Sequence, residues 1–259
     1  MTLFLSECPL WVLAILVVVL PVIVSCWILV RIRRRVGLTA LASNNEVAGF
    51  KFAVVGIIYA VLLGFAVIVV WGRYNEAEIA VLREAGAAAT VYRLAAGDEP
   101  QEVATRTAMG NYLRLAIDKD WPQMSAEAES AEVTAALNDV YAAAQRVAQS
   151  AGRPHEVVAE LFTQLDAVTE ARRSRLHLAT GIVPVVLWDA LILGGLLTVG
   201  FTYFFGTQNL RAQVLMTGIL AIIVFMGLFV TLAIDHPFTG PVHVDSGPLQ
   251  RVLRDLSGG

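Results

Sequence analysis

Charge is what this chain has least of. Asp, Glu, Lys and Arg make up 16% of its 259 residues, against 57% hydrophobic, at a mean hydropathy of +0.66. A soluble domain is about a quarter charged, so the shortfall excludes one and marks an integral membrane protein. The net charge of −3, with no Lys/Arg block interleaved with aromatics, excludes a nucleic-acid partner. Cysteine is nearly absent. Cys26 sits in an apolar run, so no bridge to Cys8 is expected and no redox compartment can be read. There is no HExxH and no Ser–His or Cys–His pairing, and His155, His177, His236 and His243 are scattered, so no catalytic residue, metal or cofactor is expected and the chain does not read as an enzyme. The acids Glu76, Glu78, Glu84, Glu127, Glu129, Glu132, Glu156 and Glu160 read as a solvated face. No two-half repeat suggests a transporter. Residues 1–9 hold Glu7 and no Lys or Arg, so a cleaved signal peptide is not expected. Strand-like alternation is missing throughout, which leaves an all-α fold.

What the chain does have is long apolar runs. Phe50–Trp71 is the clearest, long enough at 1.5 Å per residue to cross about 30 Å of hydrocarbon. Gly49, Ala53, Gly56, Ala60 and Gly64 follow at spacings of four, three, four and four, which puts them on one helical face. A ridge so poor in side chains reads either as a packing face, where backbones approach closely in lipid, or as the lining of a pore ringed by copies of the helix. The first span, Leu10–Val30, contains Pro21 as an expected kink and ends in Arg31-Ile32-Arg33-Arg34-Arg35. Arg31, Arg33, Arg34 and Arg35 set the topology: the first loop lies in the cytoplasm by the positive-inside rule. Ser43 and Glu46 are spaced as a capping box for the second helix.

From Arg73 to about Leu176 hydropathy falls and helical period takes over. One helix continues from the second span to Ala96; Gly97-Asp98-Glu99-Pro100 breaks it, a second runs to about Asp120 and ends at Trp121-Pro122, and two more follow. Apolar stripes at Val133, Leu137, Val140, Ala144, Val147 and at Val157, Leu161, Leu165, Val168 describe a helical bundle whose last helix is expected to run into the third span. Arg172, Arg173 and Arg175, just before that span, sit awkwardly with an external bundle.

The domain plan is therefore a first hairpin over 1–71, a bundle over 72–177, a second hairpin over 178–240 with spans at about 178–205 and 212–234, and a polar tail over 241–259. Gly195, Thr198 and Thr202 share a face of the third span that could meet the Gly/Ala ridge. Asp189 is an intramembrane carboxylate that must be protonated, paired or hydrated. Asp235, at the C-terminal end of the fourth helix, opposes the macrodipole and calls for a cation, with Arg73 the first choice and Arg175 the second.

Three stretches together resemble a known family: Asn45-Glu46-Val47-Ala48-Gly49-Phe50 on through Tyr59 and Trp71; Tyr112 with Trp121-Pro122; and Leu187-Trp188, Thr198-Val199-Gly200-Phe201 and Asp235-His236-Pro237-Phe238-Thr239-Gly240. The chain looks like the bacterial membrane proteins described as bestrophin-like. That resemblance implies four membrane helices with a helical insert after the second. By analogy with bestrophins it implies an oligomeric anion channel, pentameric, with the second helix lining the pore; in such a channel Gly49, Gly56, Gly64 and Phe50 or Phe52 are expected to set the width. Two departures stand: the arginine run places the first loop inside, where bestrophins have it outside, and no acidic calcium clasp is present to carry over. The expected setting is the bacterial inner membrane, with both termini and the bundle on the outer side and with lipid, further copies of the chain and inorganic anions as partners. The alternative is a non-conducting scaffold or sensor whose bundle binds a partner.

Overall fold

The computed structural model describes residues 9–43, 45–150 and 152–257, and among them there is no strand. Four helices are long and apolar enough to cross a membrane: α1 (Leu10–Val36), α3 (Asn45–Leu94), α8 (Val185–Phe201, continued as a 3-10 turn to Phe204) and α9 (Leu210–Ile234). Between them lie the short α2 (Leu38–Ala42), then α4 (Pro100–Leu115), α5 (Trp121–Met124), α6 (Ala131–Gln149) and α7 (His155–His177), with α10 (Gly247–Ser257) last. The chain divides into two compact units. One comprises the described residues up to Gly72 with Gly181–His236 and Gly240–Val242; the other comprises Arg73–Thr180, Pro237–Thr239 and the residues from His243 on.

The membrane unit packs α1, the first part of α3, α8 and α9 around Leu13, Tyr59, Leu191, Ala221, Val224 and Phe225. Pro21 lies inside α1, which continues past it to Val36. It cannot donate to the carbonyl four residues back, and the helix widens into a π-turn over Ile15–Val19 immediately before it. The same device recurs in the second unit, where a π-turn over Ala116–Asp120 precedes Pro122. The expected break at Trp121-Pro122 therefore falls later: Pro122 sits in the first turn of α5, and the helical path ends after Met124.

Two other expectations are corrected. The third span starts at Val185, not at Leu178, and α7 does not run into it. Residues 178–184 contain Gly181 and end in Pro184, which caps α8 from an extended conformation. The capping box at Ser43 includes Asn44, outside the described residues, while the Ser43 hydroxyl turns back to donate to the Ala40 carbonyl at 2.9 Å. In the second unit the stripes of α6 and α7 bury Val133, Leu137, Val140, Leu161, Leu165 and Val168 against the Ala-rich face of α3 and against α4. Glu99 caps α4 in a box with Glu102.

Candidate functional site

Four places in the chain bear on function, three of them holding residues that sequence reasoning singles out for a role. The first is the membrane half of α3. Its buried side carries Ala48, Tyr59, Ala66 and Val70, with Phe52, Val55, Leu62 and Leu63 half-buried. The small-residue ridge lies roughly 110° around the helix from that side. Ala53, Ala60 and Gly64 on it are exposed, and a Cβ added at Gly56 or Gly64 would meet nothing within 4 Å. At Gly49 the nearest atom would be on Phe205, at 3.9 Å. Phe50 is 77% exposed. Phe52 is not on this face: its ring packs inside the unit, 6.0 Å from Phe201 and edge-on to Phe205 at 5.7 Å.

The expected meeting of that ridge with the face of Gly195, Thr198 and Thr202 does not occur. Those residues are buried, and Tyr59 fills the space instead. A Cβ at Gly194 would come within 2.8 Å of the Tyr59 ring, and one at Gly195 within 2.9 Å of its hydroxyl. Both threonines bond back into their own helix, Thr198 to the Gly194 carbonyl at 2.8 Å and Thr202 to the Val199 carbonyl at 2.6 Å. Asp189 is exposed and lies about one turn into α8, shallower than the longer span implied.

The second place is the end of α9. All three expected members of the ion-pair clamp take other partners. Arg73 pairs with Glu76 one turn along at 3.2 Å, on the surface. Arg175 binds elsewhere, as described below. Asp235, only 1% exposed, accepts from the backbone N–H of Val183 at 2.9 Å and of Ile182 at 3.2 Å, and its other oxygen lies 3.5 Å from His236 Nδ1. It thus faces the positive N-terminal approach of α8 and His236, in place of the expected arginine. Burial pushes its carboxyl above the usual range, against the pull of those N–H groups and of His236.

The third place is a buried charge network in the second unit, which the sequence reading missed. Glu84 of α3, Asp120 of the π-turn and Arg175 of α7 are fully buried, with Arg172 nearly so. Arg175 donates to both Glu84 oxygens at 2.7 and 3.0 Å, to Asp120 at 3.1 Å and to Met124 Sδ at 3.0 Å, with its guanidinium 4.6 Å over the Trp121 ring. Arg172 makes a two-pronged contact with Asp120 at 2.9 and 3.2 Å and reaches Ser130 and Thr134. The Tyr112 hydroxyl donates to Glu84 at 2.6 Å. Burial, then the Glu84 charge, holds that phenol well above its ordinary value. Burial alone lowers the Arg175 pKa, but the charge and hydrogen bonds of Glu84 outweigh it and leave the guanidinium more firmly protonated than usual. Two cations balance two carboxylates, so the network is a lock with no spare acid or base. Glu84 is accordingly no part of a solvated acidic face.

The fourth place is the end of α1, where the arginines assigned to topology lie. Arg31, Arg34 and Arg35 are exposed, and Arg33 is half-buried with Nη2 on the Thr207 carbonyl at 2.6 Å. Three successive carbonyls of that loop are held by three helices: Phe205 by Gln213 of α9, Gly206 by Asn45 of α3 at 2.8 Å, and Thr207 by Arg33 of α1. Asn45 also accepts from the Gly206 N–H at 3.0 Å. Sequence alone offers little sign of this, because Asn45 and Gly206 are separated by 161 residues.

A family model described as the bestrophin-like domain matches residues 17–249. No curated protein matches the chain. Among solved structures, a point variant of a bacterial bestrophin homologue from Klebsiella pneumoniae aligns with a TM-score of 0.64 at 17% identity, covering 92% of this chain and 99% of its own. A second variant of a homologue from that organism gives 0.62 at 17% identity over 96% and 97%. A structure described only as a membrane protein gives 0.62 at 16% over 92% and 99%. At such identity the likeness is one of fold.

Proposed function

This chain belongs to the bestrophin-like family, and from that premise we propose that copies of it assemble in the membrane into an anion channel whose path runs along the small-residue face of α3. The observation that carries the reading is the uncovered ridge. The membrane unit buries Tyr59, Ala66 and Val70 of α3 within itself and leaves Ala53, Ala60 and Gly64 exposed beside them, with open space over Gly56. Such a strip suits close approach by a second copy or a narrow apolar passage that gates by dewetting. Phe50, exposed at one end of the strip, is the side chain best placed to narrow it. Phe52 is dropped from that role because its ring is held among Phe201 and Phe205.

The proposed orientation keeps Arg31–Arg35 in the cytoplasm. The three arginines before the third span weigh against it less than their number suggests. Arg172 and Arg175 are neutralised inside the second unit, and only Arg173 is exposed.

Purified protein in planar bilayers tests the proposal. The expected result is an anion-selective conductance that changes in unitary size in Phe50→Ala and falls at least tenfold in Gly56→Leu. Absence of current with every ion tried would overturn it in favour of a non-conducting scaffold or sensor.

A further inference from the structure

One face of α1 is built in two parts. Leu16, Leu20, Ile23 and Trp27 are 44%, 50%, 60% and 57% exposed. At spacings of four, three and four they form a single apolar strip, which Arg31 and Arg34 continue in phase at four and three. From Leu16 to Trp27 the strip measures about 16 Å at 1.5 Å per residue, close to half of a 30 Å hydrocarbon core. The Arg31 guanidinium stacks over the Trp27 ring at 4.6 Å, where apolar surface gives way to charge.

The loop contacts gather more cations at the same end. Arg33 on Thr207 holds α1 to the chain that leads into Arg211, and Asn45 on Gly206 does the same for the α3 turns that carry Lys51. Arg31, Arg33, Arg34, Arg35, Lys51 and Arg211 face a single carboxylate on these segments, Glu46, and none of the six has an ion-pair partner among the described residues. Arg33 is half-buried with one buried nitrogen, Nη1, that has no acceptor, so the end carries a charge that its own chain does not compensate.

We propose that this face of α1 binds an anionic phospholipid, its acyl chain along Leu16–Trp27 and its phosphate between Arg31 and Arg34. The apolar strip selects the source of the phosphate, because a free anion would draw nothing from a leaflet's length of exposed leucine, isoleucine and tryptophan. The binding stands whether or not the protein conducts.

The test is the melting temperature of the detergent-solubilised full chain titrated with phosphatidylglycerol, phosphatidylcholine or inorganic phosphate at one ionic strength. Phosphatidylglycerol should raise it saturably, with the other two needing at least tenfold higher concentration. Both arginines are exposed, so Arg31→Gln/Arg34→Gln should melt like the parent without lipid. It should require roughly twenty-five-fold more phosphatidylglycerol, at about fivefold per cation removed. Equal shifts with the two lipids, or an unchanged midpoint in the variant, would overturn the proposal. A saturable shift with inorganic phosphate at the same concentration would assign the cations to a free anion and overturn it as well.

Discussion

At the scale of single residues, the buried charges of the second unit follow a rule that the sequence displays once it is known where to look. Arg172 and Arg175 extend the apolar stripe of α7 from Leu161, Leu165 and Val168. Glu84 falls in phase with Ala77, Val81, Ala88 and Val91, and Asp120 with Met109, Tyr112 and Ala116. In this unit the charges in step with a buried stripe are themselves buried, and two of each sign on different helices cancel. Counting the acids of the bundle together as one solvated face hid this, because phase and not number carries the information. Removing one partner leaves its opposite buried and unpaired, which costs about 3–5 kcal/mol. Arg175→Met should therefore sharply reduce the fraction of protein that survives heating as a monodisperse species. Glu84→Gln/Arg175→Met, with charge balance restored at those two positions, should recover part of the loss. Tyr112 gives a test in pH. Its folded pKa is raised above the unfolded value near 10, so the stability it contributes is intact below about pH 10 and is lost as pH rises through the folded value. Tyr112→Phe should flatten the alkaline end of the stability profile, read as melting temperature between pH 8 and 11.

At the scale of elements, the helices were legible from period and hydropathy, while their joints were not. Both π-turns end two residues before a proline, at Pro21 and at Pro122. Reading proline as a plain breaker therefore placed one boundary too early. The start of α8 was misplaced for another reason. Leu178–Val183 is apolar enough to pass for membrane helix, yet the N–H groups of Ile182 and Val183 are taken by Asp235, a partner distant in sequence. The glycines divide in the same way. Gly206 is required by packing, since a Cβ there would lie 2.8 Å from the Ala42 nitrogen and from Leu41 Cβ. Gly206→Ala should accordingly lower heat resistance of the subunit itself. Gly56→Ala adds a methyl to open space. It should leave the solubilised subunit's melting temperature within a degree or so and alter only the cross-linked species formed in the membrane. Equal effects of the two substitutions would mean that Gly56 also serves the fold of the single chain.

At the scale of the whole molecule, orientation rests on which charges remain to be counted. The end of α1 presents Arg31, Arg34 and Arg35 to solvent. The approach to α8 presents Arg173 and His177, because Arg172 and Arg175 are neutralised by Asp120 and Glu84. A rule that weighs free cations near membrane ends then favours the α1 end for the cytoplasm by a wider margin than raw sequence indicates. Buried cations are satisfied by protein, not by the membrane's inner surface. The measurement is side-specific labelling in intact cells, with Cys8 and Cys26 replaced by Ser. Arg34→Cys should react with a membrane-impermeant maleimide only after permeabilisation, whereas Glu129→Cys, on the exposed turn before α6, should react without it. Reversed labelling would put the arginine run outside and the bundle in the cytoplasm, as in bestrophins, and would show that Arg172 and Arg175 act on topology before Glu84 and Asp120 reach them.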